Sequence, residues 1–358
     1  VVASKNNFLD HIKLLRKAVA ENGAELIIAG DSMAALVRRE NVFMELRPQF
    51  IATIDGARQY VDTLIDEAWQ FVGWLPYRNK RWPIASDKLT FKRYALGAGL
   101  RVPELSTDPA GTVADVVVKR ASSSFGEQVK GPFRAGLDCP LNIAEGEYYE
   151  RFVQGRLLKL WFWNATPVCA ELDVMPLVVG DGLLSLRDLI LRRARLNAAL
   201  GKSQTDALLS RSEAVLKYFG TDLSAVLPYG QRQIVEFRYG SVLMLRQDRR
   251  IVDFTSVPSG DAAWTSSVAR VGQVLYDGIP QMTRSPTLFT VDAVVDDKNE
   301  LWLLEMNSNP TVHPLAYSPM LKDLLAAAEA RSGVSPPRAS PIAAARPEAT
   351  GAAPAAIS

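Results

Sequence analysis

Cysteine and histidine are scarce in this chain, and each scarcity closes a route. The two cysteines, Cys139 and Cys169, form no CxxC and have no pairing logic, so they read as small buried residues in a reduced compartment. The two histidines, His11 and His313, are too few and too separated to hold zinc. Neither sign of charge is in excess. The 41 Lys plus Arg are dispersed among 39 Asp plus Glu, which removes the case for a nucleic-acid partner. No apolar run approaches the ~18 residues that a membrane span needs. The opening, VVASKNNF, has neither the basic nor the apolar region of a signal peptide, so a soluble cytoplasmic protein is expected. It also lacks an initiating Met, and the expectation is that the native start lies upstream. There is no internal repeat, and the first 84 residues hold no GxGxxG and no P-loop.

What is present is ordinary globular composition, 48% hydrophobic and 22% charged over 358 residues, enough for two or three units with cores. Residues 1–84 read as a small α/β unit. A helix carrying Phe8, Ile12, Leu15 and Val19 stops at Asn22-Gly23, and an apolar strand follows over 25–29. Gly30-Asp31-Ser32 is expected to turn the chain and cap a helix over 33–39. Strands are expected over 50–54 and 70–74, with a helix over 60–68 between them. From residue 333 onward Ala, Pro, Ser and Gly prevail. Such a segment buries too little side chain to offset its ordering entropy, so 333–358 is expected to be a disordered tail.

Several stretches carry cations in postures suited to anions. SDKLTF at 86–91 opens a helix capped by Ser86 or Asp87, and Lys88 falls in its first turn. A cation there opposes the helix dipole unless an anion is shared with the amide groups. DVVVK at 115–119 reads as a buried strand ending in Lys119. It runs into a hydroxyl-rich loop with Ser122, Ser123, Ser124 and Gly126. Small residues let backbone N–H groups approach phosphate oxygens, and a serine-rich surface turn explains the loop equally well. EYYERFV at 147–153 places Glu150 and Phe152 on one phase and Arg151 and Val153 on the other. Lys159 interrupts the apolar strand 157–163, where it either snorkels from an edge or is held against an anion. Trp161 and Trp163, on its phase, read first as packing. Helices are expected over 185–195, 206–219 and 266–276, and strands over 231–238, 241–245 and 250–255. Arg246 would end the second of these, a posture as well suited to a solvated residue as to one reaching an anion.

The densest signal is TVDAVVDDKNELWLLEMNSNP at 290–310, read as two strands, 288–296 and 301–307, around a tight polar turn. If 297–300 form the turn and Asp296 pairs with Leu301, Asp292 lies directly across from Glu305, and Asn307 shares their face. Two carboxylates side by side on an apolar sheet repel each other and resist desolvation, and a cation relieves both penalties. Carboxylate and amide oxygens suit Mg²⁺, which keeps positions open for phosphate oxygens.

Taken in order, these pieces resemble the ATP-grasp superfamily between Ser86 and Pro319. The resemblance rests on a lysine after Ser/Asp at a helix start, a strand-end lysine before a small-residue loop, a hinge strand, and an acid…Glu-x-Asn hairpin. Within it, VGDG at 179–182 with SLRDLI at 185–190, VLMLR at 242–246 and the stretch from Asn309-Pro310 to Pro319 resemble the ligase modules of cyanophycin synthetases and bifunctional glutathione synthetases. Met175-Pro176 and the segment 247–250 depart from those modules, and no counterpart of their partner catalytic domains lies in the 358 residues.

The resemblance implies an α+β fold. It would comprise an N-terminal domain at 1–84, a central lid at 85–155, and a C-terminal subdomain at 156–332 with the metal site. ATP would be held by Lys88, Lys119, Ser122, Ser123, Ser124 and Gly126. The adenine amino group would meet Glu150, with the backbone of Arg151, Phe152 and Val153 on the ring edge. Asp292, Glu305 and Asn307 would hold Mg²⁺, with Mn²⁺ able to substitute. Lys159 and Arg246 would stabilise the transferring phosphoryl group and the oxyanion. The implied activity is ATP-dependent carboxylate–amine ligation through an acyl phosphate, on amino acids or short peptides. Homo-oligomerisation stays open, as do a kinase-like phosphotransferase and a non-catalytic nucleotide-binding subunit.

Overall fold

The computed structural model describes residues 8–110, 113–122, 129–255 and 263–332; the tail expected over 333–358 lies outside them. Its class is α+β, with every strand pairing antiparallel. Helix α1 (Phe8–Glu21) precedes a five-stranded sheet of β1 (Glu25–Ile28), β2 (Ala35–Arg39), β3 (Val42–Ile54), β4 (Ala57–Val61) and β5 (Ala68–Leu75). Neither helix expected in this region forms: 35–39 is strand β2, and 60–68 comprises the end of β4, a turn over 62–67 and the start of β5. Over 35–39 the residues alternate between buried (Ala35, Val37) and exposed (Leu36, Arg38), a period of two that serves pairing with both neighbours. Over 57–61 the chain returns along β3 through Asp55-Gly56, whose φ values of 49° and 74° make the two-residue hairpin that this dipeptide favours. That turn was legible in the sequence and outweighs the helical spacing read over 60–68.

The short helix α2 (Pro83–Ser86) leads into α3 (Lys88–Gly97), and Asp87 is the cap, accepting from Thr90 N at 2.6 Å. A four-stranded sheet follows, β6 (Leu105–Ser106), β7 (Ala114–Arg120), β8 (Lys130–Ala135) and β9 (Glu147–Arg151), in the order β6-β9-β7-β8. Next come β10 (Arg156–Trp163), β11 (Thr166–Val174) and β12 (Leu177–Val179). Helices α4 (Leu186–Arg195) and α5 (Lys202–Tyr218) precede β13 (Arg232–Ile234), which pairs with β12. The chain continues through β14 (Arg249–Asp253), α6 (Ala263–Asp277), α7 (Gln281–Arg284), β15 (Leu288–Val295), β16 (Leu301–Asn307) and α8 (Tyr317–Ser332). Five of these strands form the sheet β14-β11-β10-β15-β16.

The strand expected over 231–238 is cut short, and the one expected over 241–245 does not form. Only Arg232–Ile234 pairs, and Gly240 at φ 76° begins a turn closed by Met244 N donating to Ser241 O at 3.0 Å. Arg246 therefore opens a 3₁₀ turn, Arg246–Asp248, and ends no strand. Its side chain lies outside the described residues.

One face of the five-stranded β14-to-β16 sheet packs Leu158, Phe162, Phe289, Val291 and Leu303 against Phe91 of α3 and Val268 and Leu275 of α6. Burial of these side chains, at roughly 1.5–3 kcal/mol each, fixes that face as the inner one. A second core joins α1 and the N-terminal sheet to the far end of the chain: Leu15, Leu46 and Trp74 pack with Trp163, Tyr317 and Leu321. His11 Nδ1 meets the Tyr317 hydroxyl at 2.7 Å within it.

Candidate active site

The polar face of that same sheet carries a cross-strand row. Glu171 lies opposite Lys159, Lys159 opposite Asp292, and Asp292 opposite Glu305. The last pairing is the one expected from the sequence, reached by a different route. The turn is one residue tighter than expected, with Val295 paired to Leu301, and an irregularity at Leu304 then restores Asp292 to Glu305. Trp302 and Leu304 pack on the polar-face side, while Leu303 and Met306 belong to the inner core. The extra residue thus places Leu304 and Glu305 consecutively on one face, as a β-bulge does. Had the strand run on without it, Asp292 would oppose Leu304 and Glu305 would face the core.

Each acid is met by a lysine. Lys159 Nζ lies 2.7 Å from Asp292 Oδ1, and Lys88 Nζ lies 3.1 Å from Glu305 Oε2. Asn307 Nδ2 reaches toward Asp292 Oδ2 at 3.4 Å. Burial raises the Asp292 carboxyl above its usual range despite Lys159, and the Glu305 charge adds to the rise. Burial acts the same way on Glu305, yet the Lys88 and Lys119 ammonium groups outweigh it and hold that carboxyl low. Helix α3 aims Lys88 at the hairpin because its first turn is tied to the β7 exit: Lys88 N donates to Ala121 O at 2.9 Å.

Glu150, expected to accept from an adenine amino group, is engaged at both carboxylate oxygens within the protein. Oε1 meets Lys119 Nζ at 2.6 Å, while Oε2 meets Lys92 Nζ at 3.0 Å and the Tyr148 hydroxyl at 3.3 Å. It is the shared counter-ion of two lysines. Burial works against its charge, and Lys119 and Lys92 together keep its carboxyl below the usual range. Phe152 and Val153 are buried beside Val117 and Val294, and Arg151 is exposed over the Trp302 ring. Ser122 is exposed, and Ser123, Ser124 and Gly126 lie outside the described residues.

Sequence reasoning missed five participants. Lys92, one helical turn after Lys88, is fully buried and also donates to Leu303 O at 3.0 Å; its spacing from Lys88 was the available signal. Glu171 and Arg249 pair at 2.7 Å, and Tyr239 donates a short hydrogen bond to Glu171 while its ring lies 5.1 Å from Lys159 Nζ. Thr290, paired across to Asn307, is fully buried with an unpartnered hydroxyl. No local pattern distinguishes those four from packing residues.

Among the described residues, no group of three or more His, Cys, Asp and Glu could hold a metal unaided. Two carboxylates and one amide oxygen are an incomplete hard-oxygen set, of the kind that suits Mg²⁺ when phosphate oxygens complete it.

No family model and no curated protein matches the sequence. Among solved structures the chain is similar to a bifunctional glutathione synthetase from Pasteurella multocida, at TM-score 0.41 and 14% identity, covering 90% of this chain and 44% of that one. It is similar to a D-alanine–D-alanine ligase from Bacillus anthracis, at TM-score 0.37 and 12% identity, over 70% of this chain and 68% of that one. It is also similar to the VanG D-Ala:D-Ser ligase from Enterococcus faecalis, at TM-score 0.37 and 12% identity, over 68% and 62%. The chain thus spans less than half the length of the glutathione synthetase.

Proposed function

We propose that this chain is an ATP-grasp-type carboxylate–amine ligase acting on amino acids or short peptides. The observation that carries the reading is the facing pair Asp292 and Glu305, each neutralised by a lysine from a different element. Counting Glu150, the anion that Lys119 and Lys92 share, the cluster sets four ammonium groups (Lys88, Lys92, Lys119 and Lys159) against three carboxylates (Glu150, Asp292 and Glu305). A purely structural network has no use for a surplus cation. A polyphosphate does, because Lys88, Lys119 and Lys159 can turn to its oxygens and leave Asp292 and Glu305 for Mg²⁺.

In this reading residues 1–84 form an N-terminal unit, 85–155 a lid, and 156–332 the body that bears the metal residues. Asp292, Glu305 and Asn307 would hold Mg²⁺, which supplies charge neutralisation at the phosphates. A substrate carboxylate attacks the γ-phosphorus, ADP leaves, and an amine then displaces phosphate from the acyl phosphate to form the amide. Lys159, beside Asp292 on β10, is placed to steady negative charge at the transferring group, and Arg246 is proposed for the oxyanion. Such chemistry depends on positioning and charge stabilisation more than on a covalent nucleophile.

Glu305→Gln keeps the shape of the side chain and removes its charge. ADP release with a panel of amino acids and dipeptides should fall on the order of 10²-fold or more, with the far-ultraviolet spectrum preserved. Turnover equal to that of the unaltered chain refutes the metal assignment.

A further inference from the structure

The N-terminal sheet presents a polar face toward this site. Across it Tyr60 of β4 pairs with Ile51 of β3, and Ile51 pairs with Gln70 of β5, so the three share a face; Gln49, two residues before Ile51, joins them. The opposite face packs Phe50 and Phe71 toward α1. The Gln49 face is pressed onto the segment after β16. Gly73, the cross-strand partner of Gln49, has φ 122°, and a Cβ there would lie 2.4 Å from Val312 Cβ. Val312 N donates to Val72 O at 2.8 Å, and Trp161 Nε1 donates to Thr311 O at 2.8 Å. Trp161 follows Lys159 by two residues on the same strand face. Tyr60 completes the link: its side chain hydrogen-bonds Thr311, and it lies near enough to Lys159 and Asp292 to feel both charges.

On this face two amide nitrogens have no hydrogen-bond partner within the protein. Gln49 is 2% exposed, and Nε2 of Gln49 and of Gln70 are both shut off from solvent without a hydrogen bond. An unsatisfied buried amide is costly, and two of them on one face beside a reactive cluster call for a ligand explanation.

We propose that Gln49 and Gln70, with Tyr60, are specificity residues that read a peptide group of the substrate beside the Lys159–Asp292 pair. A glutamine amide donates from Nε2 and can accept at Oε1, the same complement that a peptide unit offers. Neutral donors also tolerate a substrate whose carboxylate has been masked, which a cationic clamp does not. The inference rests on the ligase reading for the identity of the neighbouring site and extends it to substrate class.

The test is isothermal titration of the full chain, and of Gln49→Leu and Gln70→Leu, with a panel of dipeptides and their C-terminal amides. Each ligand is measured with and without a non-hydrolysable magnesium–ATP analogue. Each leucine should weaken dipeptide and dipeptide amide alike by about fivefold, one neutral hydrogen bond, with analogue affinity unchanged. Melting temperatures should hold or rise, because leucine removes a buried donor that the protein leaves unsatisfied. The inference is overturned by dipeptide affinity equal in all three proteins, by no dipeptide binding while the analogue still binds, or by leucine variants that melt lower. If the dipeptide arm holds and the analogue does not bind, the peptide subsite stands and the ligase reading falls.

Discussion

Glu150 is the buried anion on which two cations depend, and replacing it by glutamine exposes that dependence. At 1% exposure Glu150 is shared between Lys119 at 2.6 Å and Lys92 at 3.0 Å; Lys92 itself is wholly buried. Burial already pulls the Lys92 ammonium down to about 8, even with Glu150 beside it. Glu150→Gln keeps the shape and leaves two neighbouring ammonium groups without the anion they share. Breaking a buried pair from one side costs about 3–5 kcal/mol. The cost is bounded because Lys92 can shed its proton, which makes it depend on pH. A lysine whose folded-state pKa is depressed binds fewer protons in the native state than in the unfolded one, so stability rises with pH between the two values. For the unaltered protein that window opens near pH 8. In the variant it opens at lower pH, so the deficit should be largest near pH 6 and shrink by pH 8.5. Urea unfolding followed by tryptophan fluorescence at several pH values measures both quantities. The double variant Lys92→Met/Glu150→Gln should regain part of the loss at neutral pH, since no uncompensated charge then lies at the deepest position. A deficit under about 1 kcal/mol at pH 7, or one that grows with pH, refutes the reasoning.

Two further outcomes concern a buried histidine and a crowded glycine. His11 is buried and its pKa falls to about 4, first through burial and then through His313, so its stabilising contribution is complete above pH 6.5 and is lost as pH falls toward 4. That shift is worth about 3 kcal/mol, and acid-unfolding curves for His11→Gln should lack most of it; superimposable curves contradict the assignment. At Gly155 a Cβ would lie 2.2 Å from Val295 O, so Gly155→Ala should push β10 away from β15 and destabilise by about 1–3 kcal/mol, and a melting temperature equal to that of the unaltered protein argues against so close an approach.

Much of the candidate site could be read from residue order. The spacing of Asp292, Glu305 and Asn307, the capped start of α3 and the lysine ending a valine run are local patterns, and local patterns survive into the fold because strand alternation and helix capping act over a few residues. The Asp55-Gly56 hairpin is equally local, a dipeptide signal that the sequence reading passed over in favour of a helical spacing over 60–68. Other features depend on where distant segments meet. Lys92 becomes a partner of Glu150 only because α3 lies over β9 and β16; its one-turn spacing from Lys88 puts the two on one helix face but does not name that partner. The face shared by Gln49, Gln70 and Tyr60 is turned toward the segment after β16 because the N-terminal sheet and α8 share one core. The residue types on the hairpin, and hence its chemistry, were set by the sequence alone. The face on which Glu305 emerges was decided by a single extra residue at Leu304, because a strand exchanges its faces with every one-residue slip and only packing against the rest of the chain selects the register.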